Sequence, residues 1–107
     1  MAKQLTNKAK VEKESANRLV IKGVLDVSTV TEVFQSVREW LLNTDQECEI
    51  EFSKIGEVDS ASIALILSVM RIAKKRNKTI KLTGIPDKML AIAKLSSVDT
   101  LLPLASH

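Results

Sequence analysis

The stretch from Glu57 to Lys75, EVDSASIALILSVMRIAKK, constrains the fold more than any other part of the chain. A polar turn, Val58-Asp59-Ser60, runs straight into a helical pattern. Ile63, Ile66, Leu67, Met70 and Ala73 recur at helical spacing and make one core-facing stripe. Ala61, Leu65, Val69 and Ile72 make a second stripe on a neighbouring face. A surface helix needs one apolar stripe, so the second meets either more core or another molecule. Ser60 stands at the N-cap position, where its hydroxyl would accept from the backbone N–H of Ser62 or Ile63.

The flanking segments supply the layers that such a helix needs. Arg18 to Leu25 reads as a strand, with Leu19 and Ile21 on one side and Val20, Lys22 and Val24 on the other. Gly23 in its middle points to a bulge or a close backbone approach. Thr29 and Glu32 have capping-box spacing. Val30, Val33, Phe34, Val37, Trp40 and Leu41 then give an amphipathic helix. From Glu47 to Phe52 the chain alternates strictly, with Cys48, Ile50 and Phe52 inward and the three glutamates outward on a wet face. Those carboxylates lie about 7 Å apart along the strand and converge on no metal. Thr79 to Thr83 is a short strand, Gly84 punctuates it, and Pro86 suits the first position of a last helix carrying Met89, Leu90, Ile92, Ala93 and Leu95. A further strand or turn is expected over Val98 to Leu104.

Helices that follow strands at this spacing imply crossovers and a largely parallel sheet covered on one face. Residues 1–16 read as a loose N-terminal segment carrying at most a weak edge strand over 10–14, and residues 17–105 as the domain. With 107 residues there is room for one modest core. Three aromatic residues, Phe34, Trp40 and Phe52, leave that core aliphatic.

Composition excludes several functions. The formal charge of +3 is mild. The densest basic cluster, Lys74, Lys75, Arg76 and Lys78, sits where cations complement a helix C-terminus, so nucleic acid is not expected as a partner. Cys48 is the lone cysteine, which suits a reducing compartment. MAKQLTNKAK contains no apolar signal region, and the cytoplasm is the expected location. His107 is the single histidine and the last residue, and no nucleophile–base set or phosphate-cradling glycine motif occurs, so no enzyme, cofactor or metal is expected. Asp26 and Asp59 fall together at strand ends without an acid/base partner.

What remains is the Asp59-Ser60 turn. Ser60 is either a plain cap or a phosphate acceptor whose added charge would sit beside Asp59 and the second stripe. Leu65 and Ile72 are either core or docking residues, and Ser62 is either a solvated helix residue or part of the contact.

Three segments carry a resemblance to the STAS domain, the α/β fold of sulfate-transporter cytoplasmic domains and anti-sigma-factor antagonists. Gly23-Val24-Leu25-Asp26 resembles the family's G-x-L-D strand end. Val58-Asp59-Ser60 with Ala61-Ser62-Ile63-Ala64-Leu65 resembles its D-[ST]-x-G-[LI] motif, with Ser62 where glycine is usual. Leu82-Thr83-Gly84-Ile85 resembles the strand and turn before the third helix. Within the family the chain is similar to the standalone STAS subunit of the bacterial phospholipid ABC transporter that maintains outer-membrane lipid asymmetry, through Ala64-Leu65-Ile66-Leu67, Ile72-Ala73-Lys74-Lys75, and Asp87-Lys88-Met89 leading into Ala93-Lys94-Leu95.

The resemblance implies a mixed, mostly parallel sheet with helices mainly on one face. It also implies a non-catalytic accessory role, held peripherally at the inner membrane by binding the transporter's ATPase subunit and, through it, the permease. The expected contact comprises Asp59, Ser60, Ser62, Leu65, Ile72 and Lys88, with Leu65→Asp losing binding but keeping the fold. The alternative that the family implies is an anti-sigma-factor antagonist switched by phosphorylation of Ser60.

Overall fold

The computed structural model describes residues 2–4 and 8–98. The elements run β1 (Ala2–Gln4), β2 (Ala9–Ser15), β3 (Arg18–Leu25), α1 (Val30–Leu42), β4 (Glu47–Val58), α2 (Ala61–Lys75), β5 (Thr79–Thr83) and α3 (Asp87–Leu95). Among the described residues the strands form one five-stranded sheet in sequence order. The pairs β1–β2 and β2–β3 are antiparallel, and β3–β4 and β4–β5 are parallel. This is the expected mixed α/β architecture. The segment expected over Val98 to Leu104 lies outside the described residues from residue 99 onward.

The N-terminal part differs from expectation. β2 is longer than the weak edge strand over 10–14 and lies inside the sheet, between β1 and β3. Ala9 and Val11 are buried, so the segment contributes to the core despite its polar composition. Gly23 explains how β2 is entered. It has φ +94, and a Cβ at that position would overlap the Lys8 carbonyl. The same carbonyl accepts a hydrogen bond from Val24 N–H at 2.8 Å. Glycine is needed there for both conformation and space.

β4 runs on to Val58, six residues past the alternating run that marks its start. Its pairing with β3 slips twice: Val20 faces Glu51 and Lys22 faces Lys54, then Gly23 faces Ile55 and Val24 faces Glu57. Each slip puts one extra residue on β4, as in a bulge. Phe52, Ile55 and Val58 are therefore the buried residues, at a spacing of three rather than two.

The core is one layer between the sheet and the helices, aliphatic apart from Phe52 and Trp40. α2 packs against both α1 and α3. Leu65 and Val69 meet Val37 of α1, together with Ile21, Ile50 and Phe52 of the sheet. Both apolar stripes of α2 pack inward, with Leu65 and Val69 of the second buried and Ala61 and Ile72 half-buried at its edges. α2 and α3 end alike. Asn77 and Ser97 adopt left-handed φ of 56° and 57°, and Lys78 and Val98 N–H bond back to the carbonyls of Ala73 and Ala93 at 2.8 and 3.0 Å. These are Schellman turns formed without glycine. Pro86 occupies the N-cap of α3, one residue earlier than expected, and Asp87 opens the helix.

Candidate functional site

The C-terminal ends of β3 and β4 lie side by side, with Leu25 opposite Val58, and the loops that leave them are locked together by Asp59. Its N–H donates to the Leu25 carbonyl at 3.3 Å. Its Oδ1 accepts from Ala61 N–H at 2.8 Å, and its Oδ2 accepts from Val27 N–H at 3.2 Å. Its carbonyl receives both the N–H and the hydroxyl of Ser62, at 3.1 and 2.7 Å. Asp59, not Ser60, caps α2. The reason is local: Ser60 already has helical backbone angles, φ −63 and ψ −17, so its side chain does not reach back to the next amides. That leaves Ser60 exposed, with a hydroxyl that makes no hydrogen bond among the described residues.

The neighbouring loop is built the same way. Asp26 Oδ1 accepts from the Ser28 hydroxyl at 2.6 Å and from Ser28 N–H at 2.8 Å. The Ser28 hydroxyl is the main reason that the Asp26 carboxyl is held below the ordinary aspartate value. Thr29 is buried and turns inward, accepting from Asp26 N–H at 3.1 Å and donating to the Val24 carbonyl at 2.9 Å. The expected capping box with Glu32 is therefore not made. Asp26 and Asp59 do share one end of the sheet, and both spend their carboxylates on shaping loops.

The six expected contact residues separate. Asp59 and Ser60 precede α2 and Lys88 lies in the first turn of α3, with Ser60 and Lys88 exposed and Asp59 half-buried. Leu65 is 3% exposed and Ser62 is 0% exposed, so neither can touch a partner on this folded chain. Leu65 fills the gap between α2, α1 and the sheet, and Ser62 is turned under Asp59. Ile72 is half-buried against the core.

Two surface residues escaped the sequence reading. Val27 is 78% exposed in the loop tethered by Asp59, and Leu95, expected to carry α3, is 88% exposed at its end; Ala64, already part of the motif, is exposed one turn along α2 from Ser60. Val27 was legible in one respect: an apolar residue between a strand-ending aspartate and a helix start belongs to no core period.

The sheet face away from the helices is not simply wet. It holds a groove of about 410 Å³ lined by Glu12, Arg18, Lys22, Glu49 and Glu51 among others. Arg18 pairs with Glu14 and Glu49, and Lys22 with Glu12. Glu51, expected to be solvated, is 7% exposed and accepts from Ser53 N–H at 2.6 Å.

The family model described as "Mlab, STAS domain" matches residues 9–103. This chain belongs to the STAS family. The STAS chain is 28% identical over 82 residues to the Escherichia coli "Intermembrane phospholipid transport system binding protein MlaB", an overlap of 77% of this chain and 81% of that protein. Among solved structures, the unphosphorylated anti-sigma factor antagonist SpoIIAA superposes with a TM-score of 0.70 at 17% identity, covering 92% of this STAS chain and 89% of SpoIIAA. An anti-sigma factor antagonist from Mycobacterium paratuberculosis gives 0.67 at 14% identity, covering 91% and 83%. These structural likenesses establish the fold, in agreement with the sheet order and helix placement above. No helix among the described residues is long and apolar enough to cross a membrane.

Proposed function

We propose that this STAS domain is a non-catalytic accessory subunit of a phospholipid ABC transporter, bound to the ATPase subunit on the cytoplasmic side of the inner membrane. The observation that carries the reading is the similarity to MlaB, which spans the Asp59-Ser60 turn and most of the domain. The docking surface is the end of the fold where Ser60, Val27 and Ala64 are exposed, joined by Lys88 in the first turn of α3. Asp59 holds that surface in register through its two loop contacts. Ile72 lies at its margin. Leu65 and Ser62 support it from below. The permease is reached indirectly, through the ATPase.

The test is an affinity capture of tagged wild type and Ser60→Glu from native membranes, read by mass spectrometry. Recovery of an ABC ATPase and its permease with wild type, and their loss with Ser60→Glu, supports the reading. Recovery of a serine kinase or a sigma-factor regulator in their place overturns it.

A second reading has its own support. The free, exposed hydroxyl of Ser60 at the start of α2 is open to a kinase, and a phosphate there would gain from the helix N-terminus. On that reading the chain is an anti-sigma-factor antagonist, released from its partner when Ser60 is phosphorylated. Intact-mass measurement of the chain purified from its own cells decides whether the modification occurs.

A further inference from the structure

The outer faces of α2 and α3 carry an uncompensated positive charge. α2 contains no acidic residue, and Arg71, Lys74, Lys75 and the capping Arg76 are all exposed. α3 adds Lys88 and Lys94, both exposed, against one acid, Asp87. Both helices follow strands that run parallel, and they pack on each other, so their outer faces form one surface. The ion pairs among the described residues lie on the opposite side of the sheet, within Glu12, Glu14, Arg18, Lys22 and Glu49. Among the described residues none of the six helix cations has an acidic partner.

Helix stability does not explain this distribution. Cations in a last turn complement the dipole, which accounts for Lys74, Lys75 and Lys94. Arg71 lies a turn earlier. Lys88 sits in the first turn of α3, where a cation opposes the dipole. The first turn of α2, where an acid would help, has none.

We propose that this face docks a carboxylate-rich surface of a protein partner, and that Arg71 is its charged anchor. The inference rests on the reading above and identifies the partner as the ATPase subunit, with an acidic patch opposite α2. A protein is favoured over a lipid surface because Ser60, Ala64, Arg71 and Lys75 on the outside of α2 are small or polar, and among the described residues Leu95 is the one large apolar side chain of α2 and α3 that is mostly exposed. A single leucine is too little apolar surface to hold the face among acyl chains. Arg at the centre of a contact makes directed bonds to carboxylates, while the surrounding lysines steer the encounter.

The experiment measures association of the chain with the purified ATPase subunit of the phospholipid ABC transporter from the same source. Variants are Arg71→Glu, the pair Lys74→Glu with Lys75→Glu, and Lys54→Glu on the open sheet face. Expected are a loss in affinity of about tenfold or more for Arg71→Glu, and slower association for the lysine pair. Lys54→Glu should be silent. The wild-type association rate should fall about fivefold as ionic strength rises from about 0.05 to about 0.15 M. Unchanged thermal unfolding of Arg71→Glu confirms that its effect is on binding.

Wild-type binding that ignores salt and all three variants overturns the charged face and leaves the proposed function standing. No wild-type binding at all overturns both. Charge reversals that abolish sedimentation with vesicles of mixed phosphatidylglycerol and phosphatidylcholine, while leaving ATPase binding intact, assign the face to membrane and overturn the protein partner.

Discussion

Asp59 Oδ2 accepts from Val27 N–H across two loops, at 3.2 Å, while the same carboxylate's Oδ1 caps α2 at Ala61. One side chain thus sets both the start of the central helix and the position of the exposed Val27. Asp59→Ala should remove both bonds and lower stability by about 1–2 kcal/mol. Asp59→Asn, which keeps one carbonyl acceptor, should cost less. Urea unfolding of the two variants reads the difference, and equal stability of all three proteins would show that water replaces the carboxylate at no cost.

Leu65 should behave as core. Leu65→Ala should cost about 2–4 kcal/mol through lost burial and a cavity against Val37 and Phe52, and Leu65→Asp should fail to fold. Far-ultraviolet circular dichroism and denaturant titration check this. A folded Leu65→Asp protein would mean that α2 can turn this face outward.

Gly23→Ala should destabilise by about 1–3 kcal/mol, because an L-residue is strained at φ +94 and its Cβ meets the Lys8 carbonyl. The damage should be local at first. Hydrogen exchange should show Val24 N–H losing protection before the β3–β4 amides do.

The lowered Asp26 carboxyl predicts the shape of the acid limb. Its folded pKa lies below its unfolded value, held down first of all by the Ser28 hydroxyl. The stability that it contributes is therefore complete above the ordinary aspartate value and is lost as pH falls through the folded value. Asp26→Asn should flatten the dependence of Tm on pH in that acidic window and leave it unchanged near neutrality.

Burial pushes the Cys48 thiol up from its ordinary value. Its sulfur faces the Thr79 carbonyl at 3.6 Å. Reaction with a water-soluble maleimide should be slow in the native protein and fast in urea, at a rate that tracks global unfolding.

The sequence made the elements from Arg18 to Leu95 legible where their apolar periods are undisturbed, and left β4 unread beyond Phe52, where two slips break its period. The Val30 to Leu41 stripe and the Thr79 to Thr83 alternation each state one structure. β2 was harder, since Ala9 and Val11 are its buried apolar residues among charges, and what makes it an interior strand is pairing to β1 and β3. At the site, the pattern located the turn but misassigned its parts. Ser60 and Asp59 are both good cap residues, and only backbone angles decide which of them does the capping. Leu65 was ambiguous for a different reason: periodicity tells which residues share a face, not whether the neighbour on that face is another helix of the same chain.

The two slips between β3 and β4 have a bearing on the Asp59 turn itself. Side-chain direction along a strand is a matter of odd and even, and one extra residue exchanges the two. The slip after Glu51 makes that exchange, turning Lys54 outward and Ile55 inward, and the slip after Ile55 undoes it before Val58. Val58 keeps the orientation it would have in an unbroken strand, and Asp59 emerges on the side where Val27 waits. Removing one residue at either slip would leave a regular stretch still in register with β3, with Val58 opposite Leu25 and Asp59 facing both amides. Removing one from each would leave an unbroken strand with the same ends, so chain length in this segment is free to shorten by one or by two.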